Sequence, residues 1–152
     1  MAEIIALHTL PMTFLIARRC FALSICAAAL SASASDDEDY SKRLAALVNQ
    51  YRVSQGIPAM QVDSRVSGLA REHSAAMAKA GRLSHDGFPS RVQRSGVAMC
   101  VENVGSNYGS PKEQFDAWRA SPGHDRNMLD RRVDRMGVGM VADYVTLVAC
   151  GK

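Results

Sequence analysis

The apolar residues after Tyr40 recur with the 3.6-residue period of an α-helix. They occupy positions i, i+3, i+4 and i+7 of one helix face, namely Leu44, Leu47, Val48 and Tyr51. Gly56-Ile57-Pro58 comes directly after this pattern. Because glycine and proline both end helices, the first helix is predicted to stop there.

A second helical stripe begins after Asp63, whose side chain can cap a helix. Gly81 is predicted to end this helix, since glycine readily adopts the left-handed conformation found at helix C-termini. The stripe consists of Val66, Leu69, Ala70, His73, Met77 and Ala80. A lone histidine on such a stripe is most simply a core residue with satisfied hydrogen bonds, and His73 is interpreted in that way.

Further along, turn formers and a helix start are recognisable. Residues 83–96 are rich in turn formers, and Gly87 and Pro89 are expected to keep the region irregular. Ser110-Pro111-Lys112-Glu113 has the form of a capping box with proline at the first helical position, which predicts a helix that carries Phe115 and Trp118. Residues 121–129 then predict a short helix with a histidine at its start.

Three segments have strand-like patterns, at residues 97–104, 136–141 and 144–150. Only the turn Ala142-Asp143 separates the last two. The helices come first and the strands cluster late, without alternation of strand and helix. This order predicts an α+β fold with an antiparallel sheet.

The N-terminus has the pattern of a secretory signal peptide, predicted over residues 1–34. Arg18-Arg19 forms the basic flank, residues 20–30 the apolar run, and Ala32-Ser33-Ala34 the cleavage site. Met12 begins a more typical signal and is the alternative start. The apolar run is shorter than the roughly 20 residues of a membrane span, so no transmembrane segment is expected in the mature chain. The sequence therefore predicts a secreted or periplasmic protein.

Cleavage near Ala34 would leave an acidic leader, residues 35–40, followed by a domain over residues 41–151. The acidic run at residues 36–39 is expected to be disordered and solvated. The mature chain has 16 Lys and Arg residues against 14 Asp and Glu, a net charge of about +2. No nucleic-acid partner is expected, because nucleic-acid-binding proteins usually concentrate basic residues in one patch.

Cysteine usage fits an exported protein. Cys20 and Cys26 belong to the predicted signal, so the mature chain keeps Cys100 and Cys150. A single pair in an oxidising compartment is most simply a disulfide, and two buried free thiols are the alternative. The disulfide would close a loop of about 50 residues and contribute roughly 4 kcal/mol in the chain-entropy model.

Two histidines and one carboxylate are the candidate functional residues. His85 lies in a turn, where functional residues concentrate, although an exposed loop histidine is the plainer interpretation. Glu102 interrupts an apolar strand, so it either faces solvent or lines a cleft. His124 lies at a helix start, where the helix dipole disfavours its protonated form.

These three residues suit two kinds of chemistry. Two imidazoles and a carboxylate can bind a divalent cation, and a histidine with a carboxylate can act as an acid–base pair. Standard motifs of phosphate-binding loops, zinc proteases and serine hydrolases are absent from the sequence. Ser84 and Ser121, near the histidines in sequence, are the candidate nucleophiles if the protein is a hydrolase.

An ordered series of segments resembles the CAP superfamily of cysteine-rich secretory proteins, antigen 5 and plant pathogenesis-related proteins. The resemblance runs from about Tyr40 to Gly151. Its segments in chain order are LVNQYR (47–52), GIP (56–58), AREHS (70–74), LSH (83–85), VENV (101–104), SPGHDRNML (121–129) and GVG (137–139). The SPGHDRNML segment is similar to the form found in bacterial members.

The resemblance implies a three-layer α-β-α sandwich with a central cleft. In eukaryotic members two histidines and two glutamates line this cleft, and some members bind zinc or magnesium there. The likeness extends to His85, Glu102 and His124. The second glutamate would fall near Ala120 and Ser121, so this chain lacks it.

Three functions are compatible with the resemblance. The favoured one is a binding module whose cleft takes a divalent cation or a small, lipid-like ligand. The second is a hydrolase of cell-envelope or peptide substrates, with Glu102 and a histidine as its acid–base pair. The third is a structural role toward cell-envelope or host components. The chain is predicted to be a binding module rather than an enzyme, because nothing in the sequence fixes a Ser–His pair.

Overall fold

The computed structural model describes the backbone of residues 17–151 and the side chains of residues 34–151. Residues 33–152 form one compact unit. The elements in chain order are α1 (Ala17–Ser54), β1 (Gln61–Val62), α2 (Ser64–Ala80), α3 (Phe88–Ser95), β2 (Met99–Ser106), α4 (Pro111–Ala120), α5 (Pro122–Met128), β3 (Arg135–Val141) and β4 (Tyr144–Gly151).

The four strands form one sheet in the order β1-β3-β4-β2. Strand β4 is antiparallel to both β2 and β3, as predicted. Strand β1 pairs with β3 in parallel, so the sheet is mixed. Gln61 N–H donates to Asp134 O at 2.9 Å, and Asp63 N–H donates to Met136 O at 2.8 Å. Two residues are too few to show a strand pattern, and their partners lie more than 70 positions away.

Helices cover both faces of the sheet, which confirms the expected three-layer α+β sandwich. Helices α2 and α3 pack on one face. Helices α1, α4 and α5 enclose the larger apolar core on the other face. That core includes Leu44, Val48, Phe115, Trp118, Met128, Met136, Val145 and Leu147. The smaller core under α2 consists of Val66, Ala70, Val148 and Cys150.

Helix α2 lies unusually close to β3 because β3 carries two glycines. A Cβ atom at Gly137 would overlap the backbone of Ser67, and one at Gly139 would overlap the backbone of Arg71. Any side chain at these positions would therefore push the helix off the sheet. The Gly-Val-Gly segment of the sequence thus sets the distance between two layers.

The predicted helix ends are confirmed. Asp63 Oδ1 accepts from Val66 N–H at 2.9 Å, and Gly81 ends α2 in the left-handed conformation at φ +65°. The Ser110 hydroxyl accepts from Glu113 N–H at 3.2 Å and caps α4. Capping needs only residues within one turn of each other, so it can be read from local sequence.

Two predictions of irregular structure are wrong. Residues 88–95 form α3, because Pro89 lies in the first turn, where a missing N–H costs nothing. The acidic run at residues 36–39 belongs to α1 instead of a disordered leader. There Glu38 pairs with Lys42 at 2.6 Å and Asp39 with Arg43 at 2.8 Å, both one helical turn apart.

The predicted signal peptide stays a prediction. The alternative start at Met12 lies outside the described residues, and so do the side chains of residues 17–33. In the part of the chain that the structure describes, no helix is both long and apolar enough to cross a membrane.

The Cys100–Cys150 disulfide is confirmed. The register of β2 on β4 places the two cysteines directly opposite each other, with their Cα atoms 4.0 Å apart. The disulfide therefore fastens the edge strand β2 to the centre of the sheet. Glu102 follows Cys100 by two residues and lies on the same face of β2.

Candidate functional site

Glu102 is the centre of a buried polar cluster between β2 and helices α2 and α3. Only 5% of the residue is exposed, although a carboxylate in an apolar strand could equally have faced solvent. Its Oε1 accepts from His85 and from Arg91, and its Oε2 accepts from Arg91. Both oxygens of the carboxylate are thus occupied by side chains of the same chain.

Arg91 is the counter-ion of Glu102, and it was not predicted from the sequence. Its Nε donates to Glu102 Oε2 at 2.7 Å, and its Nη2 donates to Oε1 at 2.8 Å, which is the two-pronged geometry of the strongest Arg–carboxylate pairs. Its Nη1 donates to Asp86 O at 2.7 Å. Arg91 therefore ties α3, β2 and the loop that carries His85 together. The sequence offered one sign of such a partner. Glu102 lies in an apolar strand, and a carboxylate that is buried needs a cation or hydrogen-bond donors.

His85 is oriented by Glu102. Its Nδ1 lies 2.8 Å from Glu102 Oε1, and because a carboxylate only accepts, Nδ1 carries a hydrogen and donates it. The His85 side chain is 54% exposed, whereas that of Glu102 is 1% exposed. The arrangement fixes one edge of the imidazole inside the protein and leaves Nε2 on the accessible side.

His73 is a satisfied core histidine, as predicted, and it also supports the site. It is 4% exposed, and its Nε2 lies 2.7 Å from Ser84 O, so this nitrogen donates to the carbonyl. The same nitrogen lies 3.9 Å from Glu102 Oε1. His73 thus anchors the residue just before His85 to helix α2.

His124 lies in the first turn of α5. Its carbonyl accepts from Asn103 Nδ2 at 3.0 Å, and its ring is tilted against Trp118 with centroids 6.3 Å apart. Burial, and secondarily the charge of His85, lowers the pKa of His124. This is the predicted direction, and its causes here are loss of water and the neighbouring histidine.

The structure brings the three predicted residues together only in part. His85 and Glu102 are hydrogen-bonded, while His124 is near enough to His85 for their charges to interact. Among the described residues, His124 donates no hydrogen bond to either of them. The Ser84 hydroxyl accepts from Asp86 N–H at 3.4 Å, and in the described part of the chain neither it nor the Ser121 hydroxyl is hydrogen-bonded to an imidazole.

Two side chains hold the outer edge of β2 in place beside the site. Asn127 Nδ2 donates to Glu102 O at 3.0 Å, and Trp118 Nε1 donates to Val104 O at 3.0 Å. These donors come from α5, which carries His124, and from α4, so they connect both helices to the strand that carries Glu102. They also satisfy carbonyls that a sheet edge would otherwise expose.

The donor set does not fit a divalent cation held by His85, Glu102 and His124 together. Both oxygens of Glu102 already accept hydrogen bonds from Arg91 and His85. The Arg91 guanidinium supplies the positive charge that a metal cation would bring. In the described ranges, no group of three or more His, Cys, Asp or Glu side chains could hold a metal ion. Only the two imidazoles are left as candidate ligands.

The sequence of residues 45–150 matches the family described as the Cysteine-rich secretory protein family, CAP. The chain belongs to this family. The CAP domain is 31% identical over 109 residues to the uncharacterized protein YkwD of Bacillus subtilis strain 168, a match that covers 67% of this chain and 42% of YkwD.

Solved bacterial structures share the fold of this CAP domain. An extracellular protein containing an SCP domain from Bacillus anthracis is 24% identical with a TM-score of 0.72, covering 76% of this chain and 41% of its own. A cysteine-rich secretory protein from Staphylococcus aureus is 18% identical with a TM-score of 0.70, covering 76% and 39%. An outer surface protein from Borrelia burgdorferi is 16% identical with a TM-score of 0.68, covering 73% and 91%.

The chain thus spans less than half the length of YkwD and of two of these three structural neighbours. The comparison establishes a CAP domain of bacterial type. The activities and partners of those longer proteins are a separate question.

Proposed function

We propose that this CAP domain is an exported binding module that recognises a polar ligand of the cell envelope through the imidazoles of His85 and His124. One observation carries the proposal: Glu102 orients His85 while Arg91 neutralises Glu102. The His85 imidazole is therefore fixed and accessible, and the charges of Glu102 and Arg91 beside it cancel. Export is supported by the predicted signal peptide and by the extracellular and outer-surface descriptions of the structural neighbours.

The chemistry of the two rings indicates the kind of ligand. His85 Nε2 can accept a hydrogen bond while Nδ1 is held by Glu102, and the lowered pKa of His124 keeps that ring neutral near pH 7. An imidazole nitrogen that accepts a hydrogen bond suits a ligand with hydroxyl or amide N–H donors. Peptidoglycan fragments offer both groups, whereas a hydrocarbon offers neither.

An imidazole NMR titration tests this proposal. Soluble peptidoglycan fragments added to the purified protein are expected to shift the Nε2 signals of His85 and His124 and to leave His73 unchanged. His85→Gln should abolish the response. Arg82→Gln, on the exposed surface of the same loop, is the matched control and should retain it. Unchanged His85 and His124 signals at saturating fragment, or a response to equimolar zinc alone, would overturn the proposal.

A second candidate is a hydrolase in which His85 activates water. The 2.8 Å contact between His85 Nδ1 and Glu102 is the geometry in which a carboxylate orients a general base. If this function is correct, the protein releases products from peptidoglycan or peptides, which mass spectrometry detects. His85→Ala and Glu102→Gln should each abolish that release. Release that survives in both variants would exclude these residues as the catalytic pair.

A further inference from the structure

On the outer edge of β3, no described strand covers the positions beyond Met136. Val141 and Tyr144 flank a two-residue turn and therefore exchange backbone hydrogen bonds, as every second pair before them does. The even-numbered residues of β3 consequently direct their N–H and C=O groups away from β4. Two bonds agree with this alternation: Asp63 N–H donates to Met136 O at 2.8 Å, and Met140 N–H donates to the Ser41 hydroxyl at 3.1 Å.

Val138 lies between the bonded carbonyl of Met136 and the bonded N–H of Met140. Strand β1 ends at Val62, opposite Met136, and the chain then turns away into α2. Ser41 reaches Met140 from α1, one step beyond Val138. The backbone N–H and C=O of Val138 therefore point to an edge beside which no described strand runs.

A groove of about 850 Å³ lies along this edge. Small residues of α1 and α2 line it, among them Ala45, Ala46 and Gly68, and Val138 and Gly139 line it from β3. Charged side chains of Glu38, Lys42 and Arg71 also line it. Ligand sites of this size are typically lined by apolar groups with a few polar ones at fixed places. None of these residues belongs to the cluster around Glu102, so the groove is a separate site.

Gly68 is an independent sign that the groove is kept open. Glycine inside a helix costs about 1 kcal/mol relative to alanine, and its usual justification is a close neighbour. A Cβ atom at Gly68 would meet nothing within 4 Å, and Gly68 has no positive φ. Gly137 and Gly139 are required by packing, whereas Gly68 has open space where a side chain would begin, and it lines the groove.

Arg71 marks one end of the groove. Within the described part of the chain its guanidinium makes no ion pair, although it acts at longer range on Asp37 and Glu38. Glu38 is itself bound to Lys42 at 2.6 Å. Because the Arg71 backbone lies against Gly139, this end is downstream of Val138 along β3. An extended chain that continues the direction of β1 would end beside Arg71.

We propose that the groove binds the C-terminal end of an extended peptide, which adds to β3 as a parallel strand in line with β1. The peptide backbone would pair with Val138 N–H and C=O, and its terminal carboxylate would pair with Arg71. Strand addition of this kind draws affinity from main-chain hydrogen bonds. An acyl chain fits the walls but would bury the two polar groups of Val138 without partners, which is unfavourable.

The probe is the peptide acetyl-Ser-Val-Thr-Val with a free C-terminal carboxylate. Its binding is monitored by the backbone amide NMR signals of the purified protein. Saturable shifts are expected at Val138, Gly139 and Gly68 and not at His85. The same peptide as a C-terminal amide should bind about threefold to fivefold more weakly, since it loses one partly exposed ion pair. N-methylation of its central valine should weaken binding about fivefold to tenfold, because one main-chain hydrogen bond is lost.

Matched variants locate the site. Gly68→Leu should abolish the shifts, and Gly68→Ala should weaken them while making α2 more stable. Ala76→Leu places the same bulk on an exposed position of α2 outside the groove and should bind normally. The proposal is overturned if the acid and amide peptides bind equally, if Gly68→Leu binds like Ala76→Leu, or if dodecanoate shifts the groove signals and the peptide does not.

Discussion

Arg91 and Arg52 are both buried guanidiniums, but they are held by different kinds of oxygen. Arg91 binds the carboxylate of Glu102 with two nitrogens and a carbonyl with the third. Arg52 is 1% exposed, and among the described residues it donates only to backbone carbonyls. These are Pro58 O at 3.0 Å, Met128 O at 2.8 Å, Asp130 O at 2.8 Å and Val133 O at 3.3 Å.

This difference shows that Arg52 supports the fold, whereas Arg91 supports the candidate site. Carbonyl oxygens satisfy the N–H groups of Arg52 but bring no opposite charge, and burial accordingly lowers the pKa of Arg52. Its role is to join the end of α1 to the segments before β1 and after α5. Arg91 instead balances a charge that also orients the exposed His85. A buried cation therefore indicates a functional site when its carboxylate partner also binds a solvent-accessible side chain, as Glu102 binds His85.

The largest expected effect is that of Arg52→Met. Four carbonyls would lose their donor in the interior, which should lower the free energy of unfolding by about 3–5 kcal/mol. Urea unfolding followed by circular dichroism measures it. Arg52→Lys keeps the charge but not the planar fork and should lose less. A loss below about 1 kcal/mol for Arg52→Met would contradict the scaffold role.

Arg91→Met should cost about 2–4 kcal/mol, because it leaves Glu102 buried with a single side-chain donor. The sharper measurement is a double-mutant cycle with Glu102→Gln. The double variant should lose about 1–3 kcal/mol less than the sum of the single variants, since removing both partners leaves no orphaned charge. In the same samples the His85 ring signals should change, whereas those of folded Arg52→Lys should not. Additive losses would show that the two side chains do not act as a pair.

Gln114 extends the comparison to a buried polar group whose amide has no partner in the described part of the chain. It is 1% exposed, and neither its Nε2 nor its Oε1 has a hydrogen-bond partner among the described residues. Gln114→Met keeps the volume and removes the unsatisfied amide, so the free energy of unfolding should rise by about 1 kcal/mol. Gln114→Glu, of equal size but charged, is the opposing control and should be destabilising. A fall in stability for Gln114→Met would indicate that the amide is hydrogen-bonded in solution.

The smallest expected effect is the pH dependence contributed by His124. Its pKa is lowered from 6.5 in the folded chain by burial and by His85, so the unfolded chain takes up a proton more readily. This contribution to stability is complete above pH 6.5 and is lost as the pH falls below that value. His124→Gln should therefore lose less stability between about pH 7 and pH 5 than the parent protein. Identical pH profiles would mean that His124 is as solvated as in the unfolded chain.

Part of the site could be predicted because its residues are unusual for their local surroundings. His85 in a turn, Glu102 within an apolar strand and His124 at a helix start each stand out from a few neighbouring residues. Arg91 does not, because it lies among turn formers, and its partner is supplied by a different segment. The same applies to Asn127 and Trp118, whose bonds to the edge of β2 depend on how the layers pack.

The amino-acid sequence by itself determined the caps of α2, the start of α4, the antiparallel β3–β4 hairpin and the family. Periodicity, capping and tight turns act over one to four residues, so each of them is encoded where it occurs. The tertiary structure alone decided that Arg91 neutralises Glu102, that β1 pairs in parallel with β3, and that a groove remains beside Val138. The Arg91–Glu102 and β1–β3 contacts join segments many residues apart, and they form because burying a charge or a strand edge is costly without a partner.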